Sequence, residues 1–413
     1  MKRAGRVTIF IILFCFFIHI TGEIFTPKWE ADGLWEPATL IVDGFYEEGK
    51  NSIDVLYLGS SNSFYDINPL VIYENENVTG YVLGSGEQRI YTSYYYLQEA
   101  LKYQQPKVVV LDALGLFYSG RGEEEQNRKA YDYMKLSKEK IESLQIAMGE
   151  EESIISYIFP IARYHARYSS LTERDFAYPF SDKHYALKGY AFSETVAEGL
   201  PDFNMNSIVH EGITIPKENR YYFQRINELC RKNGITLLLI KTPNIEWGSL
   251  EHALTEELAK EYSVAFYDYN TFMGEIGIEE KDCFLDGAHL NYKGAELLSA
   301  HLGRIVAEYL SEETEKAQSV AYGYTPVPDE TLASQTGICF DYAAMMTAML
   351  RSQEVPCKLV VGYAGNIYHA WISIWTEENG WVDGAIFFDG HAWKRMDPTF
   401  VSSAEDRQEI LDF

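Results

Sequence analysis

The chain is poor in cysteine and in positive charge. It has 5 cysteines among 413 residues, and their spacing fits neither a zinc ribbon nor a thioredoxin-like redox pair. We therefore expect no metal and no cofactor, and so few cysteines are equally consistent with disulfides and with none. The 35 basic residues face 61 acidic ones, for a formal net charge of -26. Because nucleic acids and anionic lipid surfaces are bound through excess lysine and arginine, this balance argues against both as partners.

Long apolar runs are also scarce, and the one present lies at the amino terminus. Three basic residues precede the run Val7–Ile20, which is the pattern of an export signal. The run is short for a span of roughly 20 residues, but residues 21–25 extend it. The sole small-residue cleavage candidate, at residues 20–22, is a poor one. We favour an uncleaved anchor over residues 1–25, with its basic side cytoplasmic and the bulk of the chain extracytoplasmic, over a cleaved and secreted form.

The remaining composition is that of a folded protein with more than one domain. A hydrophobic fraction of 46% with 15% aromatic residues argues against disorder. After a connecting segment over residues 26–49, short apolar runs alternate with helical patterns, which predicts an α/β domain with a parallel sheet and helices on both faces. The predicted strands are Ile53–Leu58, Tyr81–Gly84, Lys107–Asp112, Ile235–Ile240 and Val264–Tyr267.

Two other stretches of this domain invite interpretation. The tyrosine-rich tract Arg89–Tyr103 has a spacing that favours a packed helix over a sugar-stacking surface. The long insertion at 118–215 is of a size that commonly forms a lid or a substrate wall. A charged stretch then separates this first domain, residues 50–312, from the last part of the chain. We interpret residues 313–320 as a solvated linker.

The end of the first predicted strand presents a candidate nucleophile. Gly59 is followed by Ser60 and Ser61, at the carboxyl end of a strand, where ligands bind in parallel sheets. A serine hydroxyl needs a histidine base and a group that orients it. Asp286 and His289 lie three residues apart just before a predicted helix and supply both. Without that pair, a serine capping the next helix would be the better explanation of the motif.

These motifs resemble the SGNH (GDSL-like) hydrolase superfamily over residues 50–312. Gly59-Ser60-Ser61 stands for its first block and Asp286-x-x-His289 for its last. The resemblance implies a flavodoxin-like three-layer sandwich and ester hydrolysis or O-acyl transfer on sugars, lipids or cell-wall polymers. It also implies an oxyanion donor at Gly84 or Gly86. The family's Gly-x-Asn block is missing, since the chain reads Val110-Leu111-Asp112-Ala113-Leu114, so Asn62 or backbone N–H groups are the substitute candidates.

A second candidate site lies in residues 321–413. Cys339, in the sequence Gly-Ile-Cys-Phe-Asp-Tyr-Ala, is predicted to open a helix, where the helix dipole favours a thiolate. His369 begins an alternating strand pattern, and Asp397 follows in Asp-Pro-Thr. Cysteine, histidine and aspartate in this order are the parts of a thiol acyl-transfer triad.

These residues resemble the transglutaminase-like superfamily, which has a papain-like α+β fold, along residues 321–402. The resemblance implies that Cys339 is the nucleophile, His369 the base and Asp397 the orienting acid, with Gln335 as an oxyanion candidate. The front of this domain is shorter than in the family. Members include proteases, amidases, cross-linking enzymes and inactive structural copies, and the sequence does not choose among them.

Together these features predict a membrane-anchored extracytoplasmic enzyme of bacterial type that carries out acyl chemistry at the cell envelope. Its expected substrates are envelope peptides, glycans or lipid esters. The alternative is a catalytically inactive envelope scaffold that uses one or both sites to bind glycan or protein.

Overall fold

The structure is a computed structural model that describes residues 2–28, 40–318, 326–329, 332, 339–364, 367–376, 380–383, 385–388 and 393–395. The chain divides into two compact units, residues 1–310 and 311–413. The domain limits predicted above remain predictions, but one difference is visible at the boundary. The helix that begins at Tyr292 continues to Gln318, over residues for which the sequence suggests a linker.

A five-stranded parallel sheet forms the centre of the first unit, in the order β2-β1-β3-β4-β5. This is the flavodoxin-like order. The buried apolar runs form these strands because both faces of the sheet are covered. The α/β prediction and its five strands are confirmed, and the strands are β1 (Val55–Gly59), β2 (Gly80–Gly84), β3 (Val108–Asp112), β4 (Thr236–Lys241) and β5 (Ala265–Asp268).

Helices cover both faces of this sheet. The chain moves outward from β1 to β2 and then returns past β1 to β3, so right-handed crossovers place successive helices on opposite faces. The helices of the first unit are α1 (Lys2–Phe25), α2 (Leu40–Phe45), α3 (Ser61–Asp66), α4 (Pro69–Glu76), α5 (Ile90–Ala100), α6 (Glu124–Tyr131), α7 (Lys138–Ala147), α8 (Ile154–Ile158), α9 (Ile161–Tyr164), α10 (Glu173–Ala177), α11 (Lys217–Lys232), α12 (Ser249–Tyr262) and α13 (Tyr292–Gln318).

Pairs of these helices form the two outer layers. On one face α13 packs on α4, where Ser299 Oγ accepts a hydrogen bond of 2.8 Å from Asn68 N. On the other face α5 packs on α11. Tyr91, Tyr94 and Tyr96 of α5 are buried, so the expected helical packing of the tyrosine-rich tract is confirmed.

The insertion folds into short helices and irregular chain, and its residues 185–193 lie along the sheet edge at β2. Val82 N donates to Lys188 O at 2.9 Å, and Tyr292 N donates to Ser193 O at 2.9 Å. Gly189 allows the close approach, because it has φ +85° and a Cβ atom there would lie 2.0 Å from Val82 O. The segment pairs an edge strand that would otherwise be open.

The second unit places one helix on a small antiparallel sheet. Helix α14 (Cys339–Ser352) contacts β6 (Cys357–Ala364) and β7 (Ile367–Thr376), and β8 (Gly380–Asp383) extends the sheet. Ala343, Ile372 and Ile374 are buried between helix and sheet. Strands β9 (Ala385–Phe388) and β10 (Trp393–Arg395) pair separately. This agrees with the predicted smaller α+β domain.

One helix in the described part of the chain, Gly5–Phe25, is long and apolar enough to cross a membrane. Its mean hydropathy is 2.2 over its most apolar stretch. By length and composition it is a membrane anchor or a signal sequence.

Candidate active sites

Ser61 is the first residue of α3, directly after the turn that ends β1. Gly59 makes this turn possible, because a Cβ atom there would lie 2.1 Å from Ser63 Oγ and 2.8 Å from Asp112 Cβ. The turn is therefore pressed against the end of β3. It presents Ser61 at the carboxyl end of the sheet, where the sequence predicts a nucleophile.

Ser61 lies beside His289 and Asp286, although the serine and the histidine are 228 positions apart. Ser61 Oγ is 2.7 Å from His289 Nε2, and His289 Nδ1 is 3.0 Å from both carboxylate oxygens of Asp286. Because an ionised carboxylate can only accept, Nδ1 carries the proton and Nε2 is left to accept from the serine hydroxyl. This is the arrangement of a nucleophile, a base and an orienting acid.

The short loop before α13 holds the carboxylate in place. Asp286 Oδ1 accepts from Ala288 N at 2.7 Å and from His289 N at 2.9 Å. Partial burial alone would raise the pKa of Asp286, but the hydrogen bond and charge of His289 and these backbone donors hold the pKa below its ordinary value. The Tyr65 ring packs on the imidazole, with ring centroids 5.0 Å apart. The imidazole is thus fixed from three sides.

Two further residues of α3, the helix that begins at Ser61, hold the loop that contains His289. Asn62 Nδ2 donates to Ala288 O and lies 3.4 Å from Asp66 Oδ2. Asp66 Oδ1 accepts from Leu290 N at 2.7 Å. The amide nitrogen of Asn62, a predicted oxyanion donor, is therefore engaged in holding the loop. The sequence did not predict a role for Asp66. The one signal that could have pointed to it is its position four residues after Asn62.

Asp66 should make the stability of the protein depend on pH. It is fully buried, and burial raises its pKa to about 7, against the opposing charge of His289 and the hydrogen bond from Leu290 N. A carboxyl group whose pKa is higher in the folded than in the unfolded state holds its proton longer when folded. The stability it contributes is therefore present below about pH 4 and is lost as pH rises to about 7.

We expect Asp66→Asn to remove this dependence. Relative to wild type, the variant should gain free energy of unfolding between pH 5 and pH 8, by about 2.5 kcal/mol. Urea unfolding of both proteins at the two pH values measures the difference and cancels the other titrating groups. A constant difference between variant and wild type would show that Asp66 does not titrate in this range.

The predicted oxyanion glycines lie at the same end of the sheet. Gly84 ends β2 in register with Gly59, and a Cβ atom on Gly84 would lie 2.9 Å from Gly59 O. Gly86 follows two residues later, and a Cβ atom there would lie 2.9 Å from Gln126 Oε1. Gly84 is therefore a neighbour of the nucleophile turn, whereas Gly86 faces the insertion.

A buried ion pair lies at the end of β3, where the resemblance to SGNH hydrolases would place a Gly-x-Asn block that this chain lacks. Asp112 ends β3 and Lys241 ends β4, and their charged atoms are 3.8 Å apart with both side chains inaccessible to solvent. Asp112 also accepts from Leu114 N at 2.9 Å, and Lys241 Nζ donates to Thr242 O at 2.8 Å. With these partners both charges are compensated in the interior.

Tyr118 and Arg89 form a further polar pair near the nucleophile turn. The Arg89 guanidinium lies 4.7 Å from the centre of the Tyr118 ring. Burial raises the pKa of Tyr118 to about 12, the carboxylates of Asp112 and Glu87 act in the same direction, and the positive charge of Arg89 opposes them. The phenol therefore stays protonated at neutral pH and is a hydrogen-bond donor beside the turn.

In the second unit, the backbone places two of the predicted residues on elements that pack together. Cys339 is the first residue of α14, and His369 lies in β7 opposite Gly362 of β6. The predictions that Cys339 opens a helix and that His369 lies early in a strand are confirmed. Asp397 and Gln335 lie outside the described residues.

The other cysteines have different surroundings. Cys15, Cys230, Cys283 and Cys357 are free thiols, and the last three are buried. Burial raises the pKa of Cys230 to about 12. Within the described residues, no group of three or more histidine, cysteine or carboxylate side chains is arranged to hold a metal ion.

Comparison with known proteins bears on the second unit. Residues 300–384 match the model of the transglutaminase-like superfamily. The match includes the positions of Cys339 and His369 and stops before Asp397. A protein-glutamine gamma-glutamyltransferase from Pseudomonas aeruginosa is 28% identical over 106 residues, which cover 22% of this chain and 14% of that protein. The chain thus aligns with a small part of its relative, and the similarity is to one region.

A comparison with solved structures finds a fainter similarity. The crystal structure of a proposed acylhydrolase from Bacteroides fragilis covers 68% of this chain and all of its own length, at 13% identity and a TM-score of 0.34. A TM-score of this size does not establish a shared fold or activity.

Proposed function

We propose that this protein is a membrane-anchored acyl-transfer enzyme of the cell envelope, in which Ser61 attacks an ester of a glycan or a lipid. The hydrogen-bonded series of Ser61, His289 and Asp286 carries the proposal. A serine at a helix start is common, but one whose hydroxyl reaches a histidine that is oriented by a carboxylate has the parts that nucleophilic catalysis requires.

The first half-reaction forms an acyl-enzyme. Ser61 Oγ attacks the ester carbonyl carbon while its proton passes to His289 Nε2, 2.7 Å away. Asp286 stabilises the imidazolium that results. When the tetrahedral intermediate collapses, the bond to the alcohol oxygen breaks and His289 returns the proton to that oxygen.

The second half-reaction releases the acyl group. Water or an acceptor hydroxyl attacks the acyl-enzyme carbonyl while His289 Nε2 takes its proton. When the bond between the acyl carbon and Ser61 Oγ breaks, His289 returns that proton to Ser61 Oγ. The backbone at Gly84 beside the nucleophile turn and the Tyr118 hydroxyl are our candidate oxyanion donors. The half-exposed Asp286 side chain supports a site that is open to a large substrate, as a glycan or lipid would be.

A fluorophosphonate probe tests the serine proposal directly. Ser61 Oγ should displace fluoride from phosphorus, and mass spectrometry of the digested protein should find the adduct on Ser61. Ser63→Ala is the matched control, because Ser63 lies on the same helix but its hydroxyl faces Leu58 O. Labelling that survives Ser61→Ala would contradict the proposal.

The second unit supports a second acyl-transfer activity, based on cysteine. The similarity of residues 300–384 to the transglutaminase-like superfamily and the position of Cys339 at a helix start favour it. In this proposal Cys339 Sγ attacks a peptide or glutamine amide, and the leaving amine takes its proton from His369. The resulting thioester is then resolved by water or by another amine.

We expect iodoacetamide to alkylate Cys339 selectively below about pH 8, because a thiol at a helix start with a histidine partner is largely thiolate there. The buried Cys230, Cys283 and Cys357 are internal controls in the same protein. Peptide mass spectrometry across a pH series measures each rate. His369→Ala should abolish the selectivity. Uniformly slow alkylation of all these thiols would instead favour a scaffold role for the second unit.

The carboxyl-terminal end of α1 is built into the folded first unit. Arg167 Nη1 donates to Phe25 O at 2.6 Å, Lys183 Nζ pairs with Glu23 at 2.9 Å, and Thr26 is buried. A cut after Gly22 would leave these contacts in place, so the proposal of an uncleaved anchor rests on the poor cleavage candidate at residues 20–22 and on the length of α1. Resistance of the full chain to alkaline carbonate extraction from membranes tests this part of the proposal.

A further inference from the structure

The part of the first unit that surrounds the end of α1 carries an unusual set of exposed apolar side chains. Helix α1 contacts α9, α10 and the 3₁₀ helices His165–Ser169 and Tyr178–Phe180. On these elements and on α8 are exposed side chains that we call the collar: Ile155, Phe159, Tyr168, Phe176 and Phe180. They are between 44% and 76% exposed, although all lie within a short stretch of chain.

Exposed aliphatic and tyrosine side chains occur elsewhere in the first unit, but exposed phenylalanines are concentrated here. Among phenylalanines whose side chains the structure describes, those that are largely exposed lie either in α1 or in the collar. Exposed apolar residues scattered singly need no explanation, but a contiguous group marks an interaction surface. Here that surface begins where a membrane-crossing helix would leave the bilayer.

We propose that the collar inserts into the interfacial layer of the bilayer around the end of α1 and so fixes the orientation of the first unit on the membrane. This inference rests on the proposed anchor. Aromatic side chains are enriched at the depth of the lipid headgroups, and apolar faces of peripheral helices enter that layer by about 5 to 10 Å.

The connection between α1 and the collar is rigid enough to transmit this orientation. Arg167, which precedes Tyr168 of the collar, donates to Phe25 O and, at 3.2 Å, to Asp175. A Cβ atom on Gly22 would lie 3.6 Å from Pro160, so helix and collar are in close contact. The collar cannot move far from the bilayer while α1 spans it.

Charge favours an apolar contact over an electrostatic one. Residues 154–185 contain four arginines and lysines against three aspartates and glutamates, in a chain of net charge -26. Arg163 is paired with Glu124 and Arg167 with Asp175. The collar therefore lacks the acidity of the rest of the chain without being basic, and its insertion should not depend on anionic lipid or on salt.

Depth-dependent quenching in proteoliposomes tests the proposal on the full chain. A fluorescent maleimide is attached at Tyr168→Cys or Phe180→Cys, in a protein that also carries Cys15→Ser and Cys339→Ser. Tyr221→Cys, on α11 and 50% exposed, is the matched control. Phospholipid with a nitroxide near the headgroup should remove more than about half of the emission at positions 168 and 180 and little at position 221.

A second substitution links the quenching to the collar as a whole. The double variant Phe176→Ser and Phe180→Ser should lower quenching at position 168 by about twofold or more, whereas Leu250→Ser, far along the chain, should not. Quenching at 168 and 180 no greater than at 221, in protein that resists carbonate extraction, overturns the collar and leaves the anchor standing. If carbonate releases the protein from the membrane, the proposed anchor is wrong. Quenching at positions 168 and 180 would then have to come from the collar alone.

Discussion

Replacing His289 with alanine is expected to slow acylation of Ser61 by about 10⁴-fold or more, because a serine hydroxyl without a base is a poor nucleophile at neutral pH. Measuring the rate of phosphonate labelling, or of hydrolysis of a small chromogenic ester, gives the loss. The fold should survive, since the backbone hydrogen bonds of His289 with Asp286 and Leu285 remain.

His252→Ala is the matched control for this experiment. His252 Nδ1 is hydrogen-bonded to Asp268 at 2.7 Å, so it has the same histidine–aspartate pairing without a serine. Its loss should leave the acylation rate within about threefold of wild type. Equal losses in the two variants would mean that His289 acts on folding and not on Ser61.

Asp286→Asn is expected to lower the rate by about 10⁴-fold while preserving the structure of the loop. An asparagine oxygen can still accept from Ala288 N and His289 N, which hold the loop now. Its amide nitrogen, however, donates towards His289 Nδ1 and selects the tautomer with the proton on Nε2. Because Nε2 then carries the proton, it can no longer accept a hydrogen bond from the Ser61 hydroxyl.

The control for this change is Asp282→Asn, in the same loop, where the carboxylate lies 4.0 Å from Lys293 and has no contact with His289. Circular dichroism and urea unfolding should show all three proteins equally folded. Full activity in Asp286→Asn would mean that another group orients the imidazole, and Asp66, on the other side of the loop, would be the first to test.

The first unit was largely predictable because its signals are local. Each strand is a short apolar run between turn residues, and burial on both faces of a parallel sheet requires such runs. The Ser61 turn and the Asp286–His289 loop were recognisable for the same reason. Their meeting in space follows from topology, since the loop after the last strand and the turn after the first lie at the same end of the sheet.

What could not be predicted depends on contacts distant in sequence. Asp66 and Leu290 are 224 positions apart, and no local pattern joins them. Asp112 and Lys241 pair only because β3 and β4 are neighbours. The structure of the insertion could not be predicted either, because its buried tyrosines do not recur at a simple helical spacing. In the second unit, a local sequence motif was enough to predict the helix start at Cys339.

The long separation between Ser61 and His289 also bears on when the proposed activity could begin. At synthesis rates of about 5 to 20 residues per second, the 228 positions that separate them take about 10 to 50 seconds to synthesise. During that interval Ser61 is present without His289, and the loop that carries His289 is followed directly by α13. If Ser61 is the nucleophile, a nascent chain is therefore inactive until the folding of the first unit is nearly complete.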